Sequence, residues 1–408
     1  MKPFKHILII GGLRFMHNEL RKRANVRTSL IWTKGKINEQ DISSNIHVCS
    51  CSDSIDEWIT AAKTINSNCT IDYIIAFTDE DIVKAGQIAS ELGVDYYTQN
   101  TINNVNDKIM MRKVLRKYNL DDTKSAEVSS YDDIVSFSNE VGFPIIIKPR
   151  SKFGSIGVQK ISSTEEIIPA YLRCKSESEE SHIIVEEMIE GEEHSVEYYS
   201  ENGIHQMIAT SYYFSDPINR VEYGYLQDAI LSRSMIEKID TFMKSVLTAL
   251  EINDGVTHTE FFITPEKNVR IVETHIRVAG DYTPEAVYSS KGVDLNKLSI
   301  SNSIGIPQMA GLQRYLASFR SNEKWSCVRF LKHTVSGTLT HVEEIDDLLK
   351  IKGVEQITLL KTLGSQVRPP ENSRDRLAVV RTLADTPELA VNIANETLKI
   401  LQLRITIS

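Results

Sequence analysis

Short apolar runs alternate with amphipathic segments through the first hundred residues. Strands are predicted at residues 6–10, 29–33, 46–49 and 71–77, and helices at 15–26, 54–65 and 79–92. Nearly continuous apolar strands that alternate with helices are typical of a parallel sheet with helices on both faces. We therefore expect residues 1–105 to form a parallel α/β domain.

A second pattern, strict alternation, covers residues 256–281, VTHTEFFITPEKNVRIVETHIRVAGD. It predicts two strands joined by a tight turn over residues 265–268. If Thr264 lies opposite Val269, Glu260 faces Glu273 across the hairpin. Two opposed carboxylates repel each other and destabilise the pair of strands. A solvated strand face, or a bulge that breaks the register, is the alternative that this pattern leaves open.

The same register places two histidines beside the glutamates. His258 faces His275, and period-two alternation puts both, with Arg277, on the face that carries Glu260 and Glu273. A divalent cation between the carboxylates would remove their repulsion, and oxygen ligands suit Mg²⁺ or Mn²⁺. The hairpin is therefore a candidate metal site.

Residues 106–118, NDKIMMRKVLRKY, predict a basic amphipathic helix with a polar cap at its start. Lys108 lies in the first turn, where the helix dipole disfavours a cation. This position suggests an anionic partner for Lys108. The other cations of the helix are predicted to form a solvated face: Arg112, Lys113, Arg116 and Lys117.

A lysine and a glycine-containing loop follow a buried strand at residues 143–159, FPIIIKPRSKFGSIGVQ. Lys148 continues the apolar run 145–147, so its charge needs a partner. The loop that follows, residues 150–157, can present backbone N–H groups and hydroxyls to phosphate oxygens. The Walker A pattern GxxxxGK[ST] is absent from the sequence. A generic flexible loop is the alternative.

Acidic residues are frequent in the segment 182–199, HIIVEEMIEGEEHSVEYY. Some could accept hydrogen bonds from an adenine amino group or from ribose hydroxyls, and most are expected to be solvated. Earlier in the chain, Glu80 follows the strand 71–77, where open α/β sheets place groups that contact ligands. Glu80 is a weaker candidate for substrate contact, because an acid at a helix N-terminus is common.

The remaining chain predicts an irregular functional loop at 212–229, a helix at 234–250 and further helices at 282–290 and 294–304. Beyond residue 313 strands dominate again, with a short helix at 344–349 and a longer one at 386–401. A small β-rich subdomain is therefore expected at 311–408.

Composition narrows the classes of function. The chain has 408 residues, 41% hydrophobic and 25% charged, with a net charge of −9. Two or three domains are expected at this length, and the negative charge argues against nucleic-acid binding. Five scattered cysteines do not indicate a disulfide framework. Because no signal peptide or transmembrane run is evident, we expect a cytoplasmic protein that does not bind membranes.

Taken in order, the motifs resemble a known family. They are Asp-Lys at 107–108, PIIIK at 144–148, a Ser/Gly loop, VEEMI at 185–189, HTE at 258–260 and VETHIR at 272–277. This order is similar to the ATP-grasp superfamily, and most closely to its carboxylate–amine ligase branch, which includes the L-amino-acid (dipeptide) ligases. The resemblance implies a Rossmann-like N-terminal domain, an ATP-grasp domain of two α+β subdomains at 106–310 with a lid near 120–190, and the β-rich C-terminal subdomain.

The resemblance also implies roles for particular residues. ATP would be contacted by Lys108, Lys148, Ser151, Gly154, Ser155, Gly157, Glu186, Glu187, Ile189 and Glu193. The Mg²⁺ (or Mn²⁺) ions that bridge its phosphates would be held by Glu260, Glu273 and His275. Catalysis would depend on Arg277, Glu273 and Lys148. The family usually has Asn where this sequence has His275, and imidazole nitrogen is a poorer Mg²⁺ ligand than oxygen. Either the second ion is held by Glu273 and waters, or His275 turns to the substrate.

The implied reaction is ATP-dependent amide formation between small carboxylate and amine substrates, which we expect to be L-amino acids, through an acyl phosphate. Several alternatives stay open: a carboxylating or purine-pathway ATP-grasp enzyme that uses bicarbonate, a ligase that loads an amino acid onto a carrier protein, and a non-catalytic ATP-binding regulator. The sequence names no general base among Glu222, Asp216 and His275, and it leaves a homodimer open.

Overall fold

The computed structural model describes residues 4–23, 25–152, 154–177, 182–216, 221–318 and 324–408. Within them, the N-terminal region has a parallel sheet of strand order β3-β2-β1-β4. The strands are β1 (Lys5–Ile10), β2 (Val26–Thr33), β3 (Val48–Cys51) and β4 (Tyr73–Ala76). The helices are α1 (Arg14–Arg21), α2 (Glu39–Ser44), α3 (Ile55–Asn68), α4 (Asp79–Leu92), α5 (Gln99–Asn106) and α6 (Lys108–Lys117). The predicted parallel α/β arrangement is confirmed.

The local signals of this region explain where its helices begin and end. Thr78 caps α4 by accepting from the Asp81 backbone N–H, and Gly93 ends the helix in the left-handed region at φ 66°. Asp107 caps α6 in the same way, through the N–H groups of Ile109 and Met110. The helix predicted at 15–26 ends earlier, at Arg21, because β2 already begins at Val26.

An antiparallel sheet of order β5-β8-β6-β7 follows. Its elements are β5 (Ser125–Val128), α7 (Tyr131–Val141), β6 (Ile145–Pro149), β7 (Gln159–Ile161), α8 (Ile167–Ser176) and β8 (Ile183–Glu187). The helices α7 and α8 pack on one face around a separate apolar cluster that includes Ile134, Ile147 and Cys174. This unit lies within residues 120–190, whose role as a lid remains a prediction. It presents the other face of β6, with Lys148, to the rest of the protein.

The largest sheet combines the middle and the end of the chain, in the order β13-β12-β9-β10-β11-β14-β18-β16. The middle of the chain contributes the strands β9 (Glu192–Glu201), β10 (Ile204–Ser215), β11 (Glu222–Gln227), β12 (Gly255–Ile263) and β13 (Val269–His275) to this sheet. The helices of the same region are α9 (Arg233–Ala249), α10 (Thr283–Lys291), α11 (Leu295–Ser303) and α12 (Met309–Ser318). The irregular loop predicted at 212–229 is wrong, because β10 and β11 form an antiparallel pair there. Residues 217–220 of that prediction lie outside the described residues.

The C-terminal strands β14 (Trp325–Phe330), β16 (Val354–Leu359) and β18 (Ala378–Ala384) extend this same sheet. The others, β15 (Gly337–Val342), β17 (Gln366–Val367) and β19 (Ile405–Ile407), form a small sheet of their own, and α13 (Pro387–Leu403) packs beside β14 and β18. The helix predicted at 344–349 is wrong, since that segment has only a 3-10 turn at Leu348–Lys350. The domain boundaries near residues 105 and 310 remain a prediction.

None of the helices in the described part of the chain is long and apolar enough to cross a membrane.

Candidate functional site

The glutamate hairpin has the predicted pairs and an unpredicted bulge. Glu260 lies opposite Glu273, as expected, whereas Ile263 rather than Thr264 lies opposite Val269. The assumed turn closure is therefore wrong by one residue. A bulge at Val272, between the Glu260–Glu273 and Phe261–Ile271 pairs, absorbs the extra residue. The two carboxylates face each other because the bulge corrects the register.

The predicted companions of the glutamates share their face. His258 lies opposite His275, and both line one cavity together with Glu260, Glu273 and Arg277.

Arg112 of α6 holds the bulge in place. Its Nη1 donates to the carbonyl of Ile271 (2.6 Å) and its Nη2 to that of Val272 (3.4 Å), while Nε donates to Glu186 (2.8 Å). The prediction that Arg112 is solvated is wrong, since it is 2% exposed. One signal in the sequence could have indicated this: Arg112 lies four residues after Lys108 and therefore on the same helix face.

Glu186 joins two cations beneath the site. Besides Arg112, it binds the Nζ of Lys148 at 2.6 Å, which confirms that Lys148 has a charged partner. Burial alone would raise the pKa of Glu186, but Arg112 and Lys148 lower it to about 2. Burial lowers the pKa of Lys148 from its ordinary value. The structure thus gives the Glu186 carboxylate, which the resemblance implied would contact ATP, two cationic partners.

We expect Arg112→Ala to lower the free energy of unfolding by about 3–5 kcal/mol, because it removes one partner of a buried ion pair and leaves the bulge carbonyls without a donor. Lys113→Ala, at an exposed position of the same helix, should change it by no more than about 0.5 kcal/mol. Urea unfolding measures both values. Equal unfolding midpoints for the two variants would contradict the assigned role.

Lys108 has the anionic partner that its helix position suggested. Its Nζ lies 3.0 Å from Glu273 Oε2 and donates to the carbonyl of Lys152 at 2.9 Å. Burial alone would raise the pKa of Glu273, but Lys108 and His275 hold it well below its ordinary value. Glu273 is therefore ionised beside two cations.

Each glutamate of the pair is also held by a histidine, and each histidine by a second buried carboxylate. His258 lies 2.6 Å from Glu197 and 3.3 Å from Glu260 through its two ring nitrogens. Ionised carboxylates only accept hydrogen bonds, so a ring between two of them donates from both nitrogens. Although burial disfavours the charged ring, Glu197 raises the pKa of His258 to about 10.

His275 repeats the arrangement on the neighbouring strand. Its Nδ1 lies 3.0 Å from Asp79 and its Nε2 3.1 Å from Glu273. Burial opposes the charge, yet the Asp79 carboxylate raises the pKa of His275. The two histidine rings stack at a centroid distance of 6.0 Å. His275, the departure from the family pattern, therefore donates to the glutamate that was expected to bind metal.

Asp79 connects the N-terminal sheet to this site, which the sequence did not reveal. It follows β4 at the start of α4, and it accepts from the Nε of Arg277 (2.6 Å) as well as from His275. Glu80, the candidate chosen at this sheet edge, is exposed. The edge was identified correctly, but the neighbouring acid is the one that reaches the site.

A first cavity of about 810 Å³ lies between the β5-β8-β6-β7 sheet and the glutamate hairpin. Ten of the residues predicted for ATP or metal line it: Lys108, Lys148, Gly154, Ser155, Glu186, Glu187, Ile189, Glu193, Glu260 and Glu273. Apolar wall residues that were not predicted include Ile146, Met188, Val272 and Phe262. A cavity with apolar walls and a charged region fits a nucleotide, whose base is flat and whose phosphates are charged.

The glycine loop lies over this cavity with backbone conformations that favour glycine. Gly154 and Gly157 have φ of 69° and 72°, and Ser155 between them has φ of 59°. The hydroxyl of Ser373, from the C-terminal region, donates to the Gly154 carbonyl at 3.1 Å. Two predicted loop residues, Ser151 and Gly157, are not among the residues that line the cavity, and residue 153 lies outside the described part.

A second cavity, of about 950 Å³, continues from the first. Glu222, Glu260 and Glu273 line both of them, and the second also includes His275 and Arg277. The facing glutamates therefore lie where the two cavities meet.

The C-terminal region contributes Ser373 and Arg374 to the wall of the second cavity, and its Arg376, which was not predicted, binds two acidic residues of that wall. Arg376 is 2% exposed, and it binds Glu222 at 2.9 Å and Asp281 at 2.5 Å. Long-range pairs of this kind leave no local pattern in the sequence.

Comparison with known proteins agrees with this architecture. A family model described as ATP-grasp domain matches residues 141–285, and one described as L-amino acid ligase C-terminal domain 2 matches residues 329–406. The crystal structure of an L-amino acid ligase from Bacillus licheniformis superposes with a TM-score of 0.84 at 16% identity, covering 100% of this chain and 99% of that one.

The relatives found by sequence match only part of this chain. An alanine–anticapsin ligase of Bacillus subtilis (strain 168) is 26% identical over 48% of this chain and 46% of its own length, so the match spans about half of that relative. An L-arginine-specific L-amino acid ligase of Bacillus subtilis is 23% identical over 75% of this chain and 74% of its own length.

The matched domain and the fold define the class: residues 141–285 match an ATP-grasp domain, and the chain has the ATP-grasp fold. Residues 329–406 match the second C-terminal domain of the L-amino acid ligases. The resemblance stated from the motifs is thereby confirmed.

Proposed function

We propose that the protein is an ATP-dependent ligase that joins the carboxylate of one small substrate, an L-amino acid, to the amine of another. The observation that carries this proposal is the facing pair Glu260–Glu273 at the junction of two cavities. Lys108 and Lys148 lie on the nucleotide side of that junction, and Arg277 lies on the other side.

The donor set fits Mg²⁺ bound together with ATP. In the described residues, no group of three or more His, Cys, Asp or Glu is arranged to hold a metal ion by itself. Mg²⁺ is commonly bound by one or two carboxylates plus substrate phosphates, and Glu260 with Glu273 would supply those carboxylates. When bound, the ion neutralises phosphate charge during transfer. We assign His258 and His275 to orienting these carboxylates, since their ring nitrogens already face carboxylates.

In the proposed reaction, a carboxylate oxygen of the acid attacks the γ-phosphorus and the bond to ADP breaks. The acyl phosphate then has phosphate as its leaving group. The amine nitrogen attacks the acyl carbon, the carbon–oxygen bond to phosphate breaks, and the amine loses a proton. Lys108 and Lys148 would balance the phosphate charges. Arg277 would hold the carboxylate and then the oxyanion of the tetrahedral intermediate.

The contacts of the three candidates for the base support one of them. Asp216 pairs with Lys332 at 2.7 Å and is not among the residues that line the first and second cavities. His275 has carboxylates at both ring nitrogens. Glu222 lines both cavities, and we therefore propose Glu222 as the proton acceptor.

Amino-acid-dependent release of phosphate from ATP tests the proposal. We expect release to rise at least about tenfold over the ATP-only rate with suitable pairs of L-amino acids, with a dipeptide detected by mass spectrometry. Release that bicarbonate stimulates more than any amino acid would favour a carboxylating enzyme. ATP binding without turnover on any acid would favour a regulator. A carrier-loading enzyme would convert the acid only when the carrier protein is supplied.

A further inference from the structure

A third cavity, of about 510 Å³, lies beside Arg277. It shares Arg277 and Ala279 with the second cavity. A substrate whose carboxylate lies at Arg277 can therefore extend its side chain into the third cavity. The three cavities thus form a series, with the facing glutamates between the first two and Arg277 between the last two.

The walls of the third cavity come mainly from the N-terminal sheet edge, the segment after β13 that carries Arg277, and α11. Most wall residues are apolar: Leu13, Phe15, Met16, Ala76, Phe77, Ile276, Val278, Ala279 and Pro284. The rest are neutral and polar: Tyr96, Tyr97, Asn296, Ser299 and Ser303. Arg277 is the one charged residue among these described wall residues. It pairs with Asp79 at 2.6 Å, and in the proposed reaction it also holds the substrate carboxylate.

Two apolar side chains of the wall are left partly in solvent. Leu13 is 40% and Phe15 is 51% exposed. Leu13 also has φ of 73°, in the left-handed region, a conformation that costs on the order of 1–3 kcal/mol in a non-glycine residue and is concentrated at ligand sites. A bound apolar group would cover these side chains.

We propose that the third cavity receives the side chain of the acid that is activated, and that it selects amino acids with apolar side chains, from alanine to leucine and phenylalanine. This inference rests on the proposed ligase function. A charged side chain entering this cavity would lose its hydration without finding an opposite charge, which is unfavourable. Acids with aspartate-, glutamate- or lysine-like side chains are therefore excluded.

The test compares Ser299→Phe, which fills the cavity from α11, with Lys297→Phe, which adds the same ring at an exposed position of that helix. The values measured are kcat/KM for alanine, leucine, phenylalanine, glutamate and lysine as the acid, with the same set of amine partners. We expect Ser299→Phe to reduce kcat/KM for leucine and phenylalanine at least about tenfold relative to kcat/KM for alanine. Lys297→Phe should keep the wild-type ratios of these values.

A second variant, Phe15→Asp, covers the case in which Ser299→Phe does not fold, because Phe15 is already half exposed. It should lower kcat/KM for leucine and phenylalanine about tenfold or more relative to alanine. Two results would overturn the pocket assignment but not the proposed ligase function. One is a wild-type preference for glutamate or lysine as the acid, and the other is unchanged kcat/KM ratios in the folded variants. If no acid stimulates phosphate release in the wild type, the proposed function fails, and the pocket assignment fails with it.

Discussion

Glu273→Ala is expected to reduce ligase turnover by on the order of 1000-fold or more. Glu273 is one of the two facing carboxylates, and the variant would remove a metal ligand together with the partner of Lys108 and His275. Loss of metal charge stabilisation is worth several kcal/mol, and each 1.4 kcal/mol is a factor of ten in rate. The rate of phosphate release with the best amino-acid pair measures the loss.

Glu266→Ala is the matched control, because Glu266 is exposed in the turn of the same hairpin. It should retain the wild-type rate. Binding of Mn²⁺, followed by electron paramagnetic resonance in the presence of ADP, gives a readout apart from activity, and Glu273→Ala should weaken it at least about tenfold. Mn²⁺ affinity and rates like those of the wild type in Glu273→Ala would remove the metal assignment.

Lys148→Ala should lower kcat/KM for ATP by about 100- to 1000-fold, the usual effect of removing one donor that stabilises developing charge. Its Nζ lies on the wall of the first cavity beside Glu186. The variant should still fold, since Glu186 keeps two hydrogen bonds from Arg112, at 2.8 and 3.1 Å.

Lys175→Ala removes an exposed lysine from α8 of the same subdomain and is expected to leave kcat/KM unchanged. Thermal unfolding of both variants separates a loss of fold from a loss of phosphate binding. If kcat/KM for ATP of Lys148→Ala stays within threefold of the wild-type value, Lys148 has no role in phosphate binding and only pairs with Glu186.

Much of this site follows from short-range patterns. Alternation placed Glu260, Glu273 and Arg277 on one face, and the apolar run before Lys148 predicted a charged partner. These inferences needed only a strand and its nearest neighbour. The pairing of the two glutamates was correct even though the assumed turn was not, because the bulge at Val272 restored the register.

The residues that sequence reasoning missed are joined across long distances in the chain. Asp79 is 198 positions from Arg277, and Arg376 is 154 positions from Glu222. Arg112 was predicted to be solvated because a basic helix usually has a solvated face. In the structure it is buried and forms an ion pair with Glu186. Periodicity identifies which side of an element is buried, but it does not name the partner that another element supplies.

His275 shows the same limit for a single residue. A family pattern with Asn at this position suggested a metal ligand or a substrate contact. The structure places the ring between Asp79 and Glu273, and the contact with Asp79 is one that the family pattern did not indicate. For His258, alternation along β12 predicted that Glu260 shares its face, but no local signal indicated its second partner Glu197, which lies on β9.

Transfer of ¹⁸O from the acid to phosphate tests the central proposal most directly. An amino acid labelled in both carboxylate oxygens is supplied with ATP, Mg²⁺ and an amine partner, and the released phosphate is analysed by mass spectrometry. Formation of an acyl phosphate predicts one ¹⁸O in the inorganic phosphate for each amide bond made. Amide formation with unlabelled phosphate, or with the label in AMP, would contradict it.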